Sequence, residues 1–375
     1  MKCLEKIVLC KLMSFVQPQL DPLQFAYRSH RGVDDAIATL LHRLLSHLDT
    51  PGHTARVLFA DFSSAFNTIQ RHVMVEKLLQ MHVPTSIVRW ILDFLSNRPQ
   101  SVRAAGALSP SIVTNTGAPQ GCVLSPFLYI IYTNDCRCTG PNSFCIKFAD
   151  DSAVVGLLSD DQSFQSYLEE IDRFRGWCED HFLELNATKT KEMVLGSHRH
   201  SPPDPVSLNN RAVEIVDNFK YLGLTLDDRL SFKSHVVATQ KKCHQRLYIL
   251  RRLASFNLQP KLLLNLYRSI IEPVLTYCNV IFWPSISETE KKKLLKVTKI
   301  AAKLVGLPVP SLSALCDKSL LRKACAVADD TSHPLQSEFV RLPSGRRYRT
   351  LRCSRIRLRN SFVPSAVRAL NSARQ

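Results

Sequence analysis

Three aspartates have the residue type and setting for chemistry. Asp150 and Asp151 separate two apolar runs, Phe144-Cys145-Ile146-Lys147 and Ser152-Ala153-Val154-Val155-Gly156. This pattern predicts a β-hairpin with both acids at or beside its turn. Asp is also a common turn former, so a surface Asx turn explains the pair equally well when it is taken alone. A second segment shifts the balance: Arg56-Val57-Leu58-Phe59-Ala60-Asp61-Phe62 reads as another apolar strand that ends on one acid. Strands this apolar are usually buried on both faces, which sets the terminal carboxylates against a low-dielectric core. Three carboxylates gathered there repel one another by several kcal/mol unless cations intervene. Mg²⁺, a hard ion that prefers oxygen, is the natural neutraliser. Two such ions about 4 Å apart suit in-line phosphoryl or nucleotidyl transfer.

The elements that must position these acids follow from periodicity. Residues 2–16 and 33–48 fit amphipathic helices, the second with Ile37, Leu40, Leu41, Leu44, Leu45 and Leu48 on one side. Between them Gln24-Phe25-Ala26-Tyr27-Arg28 suggests an extended path, and Pro51-Gly52-His53 a turn into the first acidic strand. After Asp61, the small residues of Ser63-Ser64-Ala65-Phe66-Asn67 would let a ligand approach the backbone. Helices follow near 71–81 and 85–96, with short strands at Val102-Arg103 and Ile112-Val113-Thr114. Thr116-Gly117-Ala118-Pro119-Gln120-Gly121 is a sharp loop opening into an apolar helix from Val123 to about Tyr132, whose first amides would face an anion. Residues 160–181 form a long helix with a core-facing stripe of Phe164, Tyr167, Leu168, Ile171 and Phe174. Met193-Val194-Leu195 is a strand, Pro202, Pro203 and Pro205 mark a surface loop, and residues 219–226 read as a strand with Gly223 at its centre. Helices are expected over 231–255, 259–271, 287–305 and 313–328, ahead of the basic segment Pro343-Ser344-Gly345-Arg346-Arg347-Tyr348-Arg349.

Charge divides the 375 residues unevenly. Residues 1–228 hold 21 Lys/Arg and 25 Asp/Glu, whereas residues 229–375 hold 28 and 7. A net charge of −4 followed by +21 suggests a catalytic part and a part that grips a polyanion, most simply nucleic acid. A solvated basic tail is the plainer alternative. The twelve Cys lack the spacing of a zinc site or a disulfide framework, which points to free thiols in a reducing compartment. No run of eighteen apolar residues exists to span a membrane, and Glu5, Lys6 and Lys11 interrupt any signal-peptide core.

Four segments then stand in a fixed order: Phe59-Ala60-Asp61-Phe62-Ser63-Ser64-Ala65-Phe66, Pro119-Gln120-Gly121, Phe148-Ala149-Asp150-Asp151 and Tyr221-Leu222-Gly223. Together they strongly resemble the reverse transcriptase of non-LTR (LINE-type) retrotransposons. Gly121-Cys122-Val123-Leu124-Ser125-Pro126, Tyr132-Thr133-Asn134-Asp135 and Leu342-Pro343-Ser344-Gly345-Arg346-Arg347 look most like the vertebrate CR1, L2 and Rex families. The resemblance implies an α+β right-hand polymerase: fingers remnant over 1–55, palm over 56–228, helical thumb over 229–310 and a basic carboxy-terminal region over 311–375. It implies an RNA-directed DNA polymerase that takes an RNA template, a DNA primer and deoxynucleoside triphosphates. Asp61 and Asp150 would hold two Mg²⁺ ions, with Asp151 as a third acid contacting metal less directly, and Lys189 would protonate the leaving pyrophosphate. Phe62, Ser63, Gln120 and Gly121 would lie at the incoming nucleotide, Phe66 would exclude a ribose 2′-hydroxyl, and Tyr221, Leu222 and Gly223 would form the primer grip. Without the resemblance, Phe66 reads also as a core ring and Lys189 as a solvated loop lysine.

The sequence departs from the family at two points. Met1-Lys2-Cys3-Leu4-Glu5-Lys6 matches a segment that relatives carry after further fingers strands, so this chain is expected to be truncated there. Asn67 stands where many relatives have Asp. The alternative expectation is therefore a truncated relic that binds nucleic acid through its basic thumb and tail without polymerising; a group II intron maturase is a more distant one.

Overall fold

The computed structural model describes residues 2–196, 204–208 and 211–373. Pro202 and Pro203, expected in a surface loop, lie outside the described residues; Pro205 is exposed. The fold is α+β and divides into two compact units. One comprises Met1–Gly32, Arg56–Glu192 and Pro203–Ile215, the other Val33–Ala55, Met193–Pro202 and Val216–Gln375. The helix Val33–Leu48 thus belongs with the carboxy-terminal residues, although chain order sets it beside the amino-terminal segment.

A five-stranded sheet, in the first unit except for Thr54, Ala55 and Met193–Leu195, runs in the order Glu214–Ile215, Lys191–Leu195, Thr54–Ala60, Asp151–Leu158, Ser143–Phe148. The sheet is mixed: the first two strands pair in parallel, the last two as an antiparallel hairpin. The apolar run before Asp61 is buried from Ala55 to Ala60, as its composition requires. The helix Asp161–Asp180 packs on this sheet through Tyr167, Ile171 and Phe174. It starts in a capping box, in which the Asp160 carboxylate accepts the Ser163 amide and the Ser163 hydroxyl accepts the Asp160 amide. Gly156 is what lets the helix approach: a Cβ there would stand 2.4 Å from the Tyr167 ring.

One buried polar chain ties these pieces together. Arg56 and Glu192, on neighbouring strands, pair at 3.0 Å with both side chains at most 2% exposed. The Tyr167 hydroxyl donates to Glu192 at 2.9 Å, and the Arg56 guanidinium lies over the Phe164 ring. Burial raises the Glu192 pKa, although Arg56 and Tyr167 pull it down. A second buried cation, Lys147, pairs with Asp21 at 2.8 Å and donates to the Thr133 and Cys136 carbonyls. Backbone bonds between Lys147 and Leu23 and Phe25 lay the amino-terminal segment along the hairpin. That segment is less extended than its sequence suggests: only Gln24 bridges Lys147, and Tyr27 turns left-handed with φ 55°.

The second unit is mainly helical. Lys233–Ala254, Pro260–Ile270, Glu288–Val305 and Leu312–Asp329 match the expected helices, and Glu272–Thr276, Asn279–Phe282, Ile356–Arg359 and Phe362–Ser372 add to them. The helix Glu288–Val305 begins where Ser287 caps the Glu290 amide and ends at left-handed Gly306. Residues 219–226 do not form one strand. Asn218–Tyr221 and Leu224–Asp227 make an antiparallel hairpin with Leu222 and Gly223 as its two-residue turn. Both turn residues have positive φ, 46° and 84°, as a tight hairpin turn of this hand demands, and this displaces the glycine from mid-strand. Buried Asp35 pairs with Lys323 at 3.0 Å and His333 at 3.2 Å. Since the Leu335 amide donates to His333 Nδ1, the ring proton sits on Nε2 and points to Asp35. Burial pushes the Asp35 carboxyl up, but the bond from His333 and the charge of Lys323 hold it below the usual range.

Arg56→Ala leaves the Glu192 carboxylate buried without its cation and is expected to cost about 3–5 kcal/mol of stability. A lowered urea midpoint with an unchanged slope reads this loss, and Arg56→Lys should restore part of it.

Candidate active site

Sequence places the acids at the ends of strands, and the sheet order makes those strands neighbours. Asp61 follows the strand Thr54–Ala60, Asp151 opens the next strand, and Asp150 stands in the hairpin turn. Phe148 pairs with Asp151, leaving Ala149 and Asp150 as the turn residues. Ala149 adopts φ 57°, a left-handed conformation that disfavours any residue with a Cβ. Asp150 and Asp151 are exposed and Asp61 is half-buried. Burial raises the Asp151 pKa, and the charges of Asp150 and then Asp61 raise it further, so the three acids share one electrostatic site.

Lys189 joins them. Its Nζ lies 3.8 Å from Asp61 Oδ2, and both side chains keep solvent access. The backbone fixes this approach: the Asn186 amide donates to the Asp61 carbonyl at 2.9 Å, the Ser63 amide donates to the Glu184 carbonyl, and the Thr190 hydroxyl accepts the Asp61 amide. Among the described residues no three His, Cys, Asp or Glu side chains stand ready as a metal cage. Mg²⁺, however, is usually bound by one or two carboxylates together with substrate phosphates and water. An all-oxygen donor set fits that ion. So does the Asp61 Oδ2 atom, which is buried without a hydrogen-bond donor, and so does the unneutralised repulsion on Asp151.

The remaining candidates fall into three groups. Phe66 is half-buried and stacks on Tyr129, with ring centroids 4.6 Å apart, so it is both a packed ring and a wall of this region. Its carbonyl accepts the Ala118 amide at 2.9 Å and the Ile69 carbonyl accepts the Gly117 amide at 2.8 Å, which docks the Gln120-Gly121 loop beside it. Gly117 makes this docking possible, because a Cβ there would meet the Asn67 backbone at 2.7 Å. Gln120 and Gly121 are exposed. Phe62 bridges Leu185 through its backbone and turns its ring onto Phe174, so its side chain packs in the core of the first unit. Tyr221, Leu222 and Gly223 belong to the second unit, where the Tyr277 hydroxyl donates to the Leu222 carbonyl and lies where a Gly223 side chain would go.

One expectation needs correction. The amides ahead of the helix Ser125–Tyr132 do not await an external anion: buried Glu5 accepts the Val123 amide at 2.7 Å and the Leu124 amide at 3.2 Å. A carboxylate 118 residues away thus supplies the negative charge that a helix start favours. Sequence reasoning also missed Tyr27 and Tyr129. Burial first, and then the charge of Asp150, raises the pKa of both. The buried Tyr129 hydroxyl has no hydrogen-bond partner among the described residues. An aromatic residue in a loop and one in an apolar helix carry no local signal that would have marked them.

The model of the family described as "Reverse transcriptase (RNA-dependent DNA polymerase)" matches residues 1–226. A second model, "Alkylated DNA repair protein alkB homolog 8, N-terminal", matches residues 233–273. The RNA-directed DNA polymerase from mobile element jockey of Drosophila melanogaster is 26% identical over 293 residues, covering 74% of this chain and 31% of that protein. The probable RNA-directed DNA polymerase from transposon X-element of the same species is 24% identical over 316 residues, covering 81% and 34%. The chain therefore spans about a third of the length of these curated relatives. Among solved structures, telomerase from Candida albicans in complex with a TWJ fragment of telomeric RNA aligns at TM-score 0.43 and 13% identity, covering 90% of this chain and 56% of that one.

Two outcomes test the site. Ala149→Gly relieves the left-handed backbone and should stabilise the protein by about 0.5–1 kcal/mol. For Asp151, a raised folded pKa means that the native state holds its proton more tightly than the unfolded chain. Its contribution to stability is present at low pH and is lost as pH rises through the folded value. Asp150→Asn should flatten that decline and raise the melting temperature at neutral pH, without divalent cation, by about 2 °C, an increment that about 1 M salt should erase.

Proposed function

This chain belongs to the reverse transcriptase (RNA-dependent DNA polymerase) family, and on that premise we propose that it extends a DNA primer on an RNA template. The retrotransposon polymerases among its relatives support a mobile-element origin, and the wording of its motifs supports a CR1/L2/Rex-like subtype. We assign fingers, palm, thumb and basic region to 1–55, 56–228, 229–310 and 311–375. The observation that carries the reading is the electrostatic coupling of Asp151 to both Asp150 and Asp61, with Lys189 beside Asp61.

Asp61 and Asp150 would hold the divalent cations, and Asp151 would add negative charge beside them. When bound, those ions would activate a primer 3′-hydroxyl and neutralise triphosphate charge. The chain's own residues do the rest. Lys189, within reach of the acids, would donate a proton to departing pyrophosphate. Phe66, braced by Tyr129, would close the space that a ribose 2′-hydroxyl needs, and Gln120, Gly121 and Ser63 would line the nucleotide's side of the site. The Leu222-Gly223 turn, braced by Tyr277, would steady the primer end. A second reading, nucleic-acid binding without turnover, is favoured by one observation: residues 229–375, apart from the three acids, carry 28 Lys/Arg against 7 Asp/Glu, a net of +21.

Primer extension on an RNA template with Mg²⁺ separates the two. Polymerisation predicts incorporation that falls at least about a thousandfold in Asp150→Ala. Phe66→Ala should accept ribonucleotides at least about tenfold better. Incorporation that survives Asp150→Ala would remove the metal assignment; none in any sample, with RNA binding intact, would leave the second reading.

A further inference from the structure

The segment Arg341–Arg359 holds eight arginines, no lysine and no acid. It is not a loose tail. Arg341 bridges Tyr348 in a short antiparallel hairpin, closed by Leu342 N–H to the Arg347 carbonyl and Arg349 N–H to the Val340 carbonyl at 2.8 and 2.7 Å. Gly345, at φ 68°, completes the turn. Tyr348, only 3% exposed, pins the hairpin down: its amide donates to Asn371 Oδ1 at 2.7 Å, its carbonyl accepts Asn371 Nδ2 at 3.0 Å, and its ring meets Phe339 edge-on. The Asp49 carboxylate accepts the Ser354 and Arg355 amides, and Arg357 donates to the Arg229 carbonyl, which hold the following stretch.

Arg346, Arg347, Arg349 and Arg352 are exposed, and no carboxylate among the described residues pairs with them. Like charges crowded on one scaffold repel one another. Guanidinium forks match phosphate oxygens in two-point contacts that an ammonium cannot make. The single aromatic residue of the segment is buried, so the segment itself offers no aromatic ring on which unpaired bases could stack. We propose that this arginine hairpin is an anchor for base-paired RNA, gripping the phosphates of a stem without reading its sequence. The choice of RNA over DNA rests on the reverse transcriptase reading; the phosphate grip does not.

The test uses the full chain and fluorescence anisotropy with a 20-base-pair RNA duplex, single-stranded RNA, a DNA duplex of the same sequence and anionic vesicles, probe sizes of roughly the span that double-stranded RNA binders cover. Replacing Arg346, Arg347, Arg349 and Arg352 together by Ala should weaken RNA-duplex binding at about 0.1 M salt by about 30-fold or more. It should also reduce the slope of log affinity against log salt by about 3. Single-stranded RNA should change less than about threefold, and replacement of the four by Lys should give an intermediate loss. Incorporation in Asp150→Ala and duplex affinity in the arginine variants are separate readouts, so failure of polymerisation and failure of this proposal give different results. Unchanged duplex affinity in either arginine variant, equal losses on single-stranded RNA, tighter binding to DNA duplex, or a loss confined to vesicles would each overturn the proposal. The four side chains are solvent-facing, so the melting temperature should hold; if the Ala variant nevertheless unfolds, the Lys variant decides.

Discussion

The ion pair between Arg56 and Glu192 sets the geometry on which the candidate site depends. Arg56, on one strand, stands five residues before Asp61, and Glu192, on the neighbouring strand, stands three residues after Lys189. A slip of one residue would turn Glu192 to the other face of the sheet and strand both charges in a low-dielectric interior. The pair therefore locks the register in which Lys189 reaches Asp61. Tyr167 extends the lock to the covering helix, and Gly156 admits that helix to contact distance. Buried ion pairs are weak evidence for net stability, since apolar side chains of the same volume often do as well. Here the pair has a specific use, because an apolar substitute would leave the register to hydrophobic matching alone.

Strain and charge gather at the same places. Ser64, Ala149 and Leu222 are not glycines, yet each adopts positive φ, and each lies in one of the motif segments. The turn at Ala149 offers Asp150 to solvent next to Asp151, whose carboxyl feels the charges of Asp150 and Asp61. Left-handed backbone and like-charge repulsion both lower the stability of a metal-free fold. Natural sites retain such features when the ligand removes the penalty on binding, which is the relation between stability and activity that a cation-binding cluster would show.

The second unit handles charge differently. At Asp35 a buried carboxylate is fully countered by Lys323 and His333, as burial demands. At its surface the opposite holds: Arg346, Arg347, Arg349 and Arg352 have no carboxylate partner among the described residues, on or beside a hairpin fixed by Tyr348 and Asn371. The interior charge at Asp35 is balanced within the chain, whereas these four arginines face solvent.

Local pattern alone determined the hairpin around Asp150-Asp151, the apolar strand before Asp61, the stripe from Phe164 to Phe174 and the long helices after residue 233. Each rests on a periodicity of two or 3.6 residues or on turn chemistry within a few positions. Motif order did the same for the family. Tertiary structure decided the rest. Glu5 takes the amides at Val123 and Leu124, Gly223 sits in a turn braced by Tyr277, Phe62 faces the core, and Asp61 and Asp151 come to share a site across neighbouring strands. Each of these contacts joins residues tens of positions or more apart. No local window contains both partners, because chain entropy is overcome by the packing of the whole unit rather than by either partner's own preference.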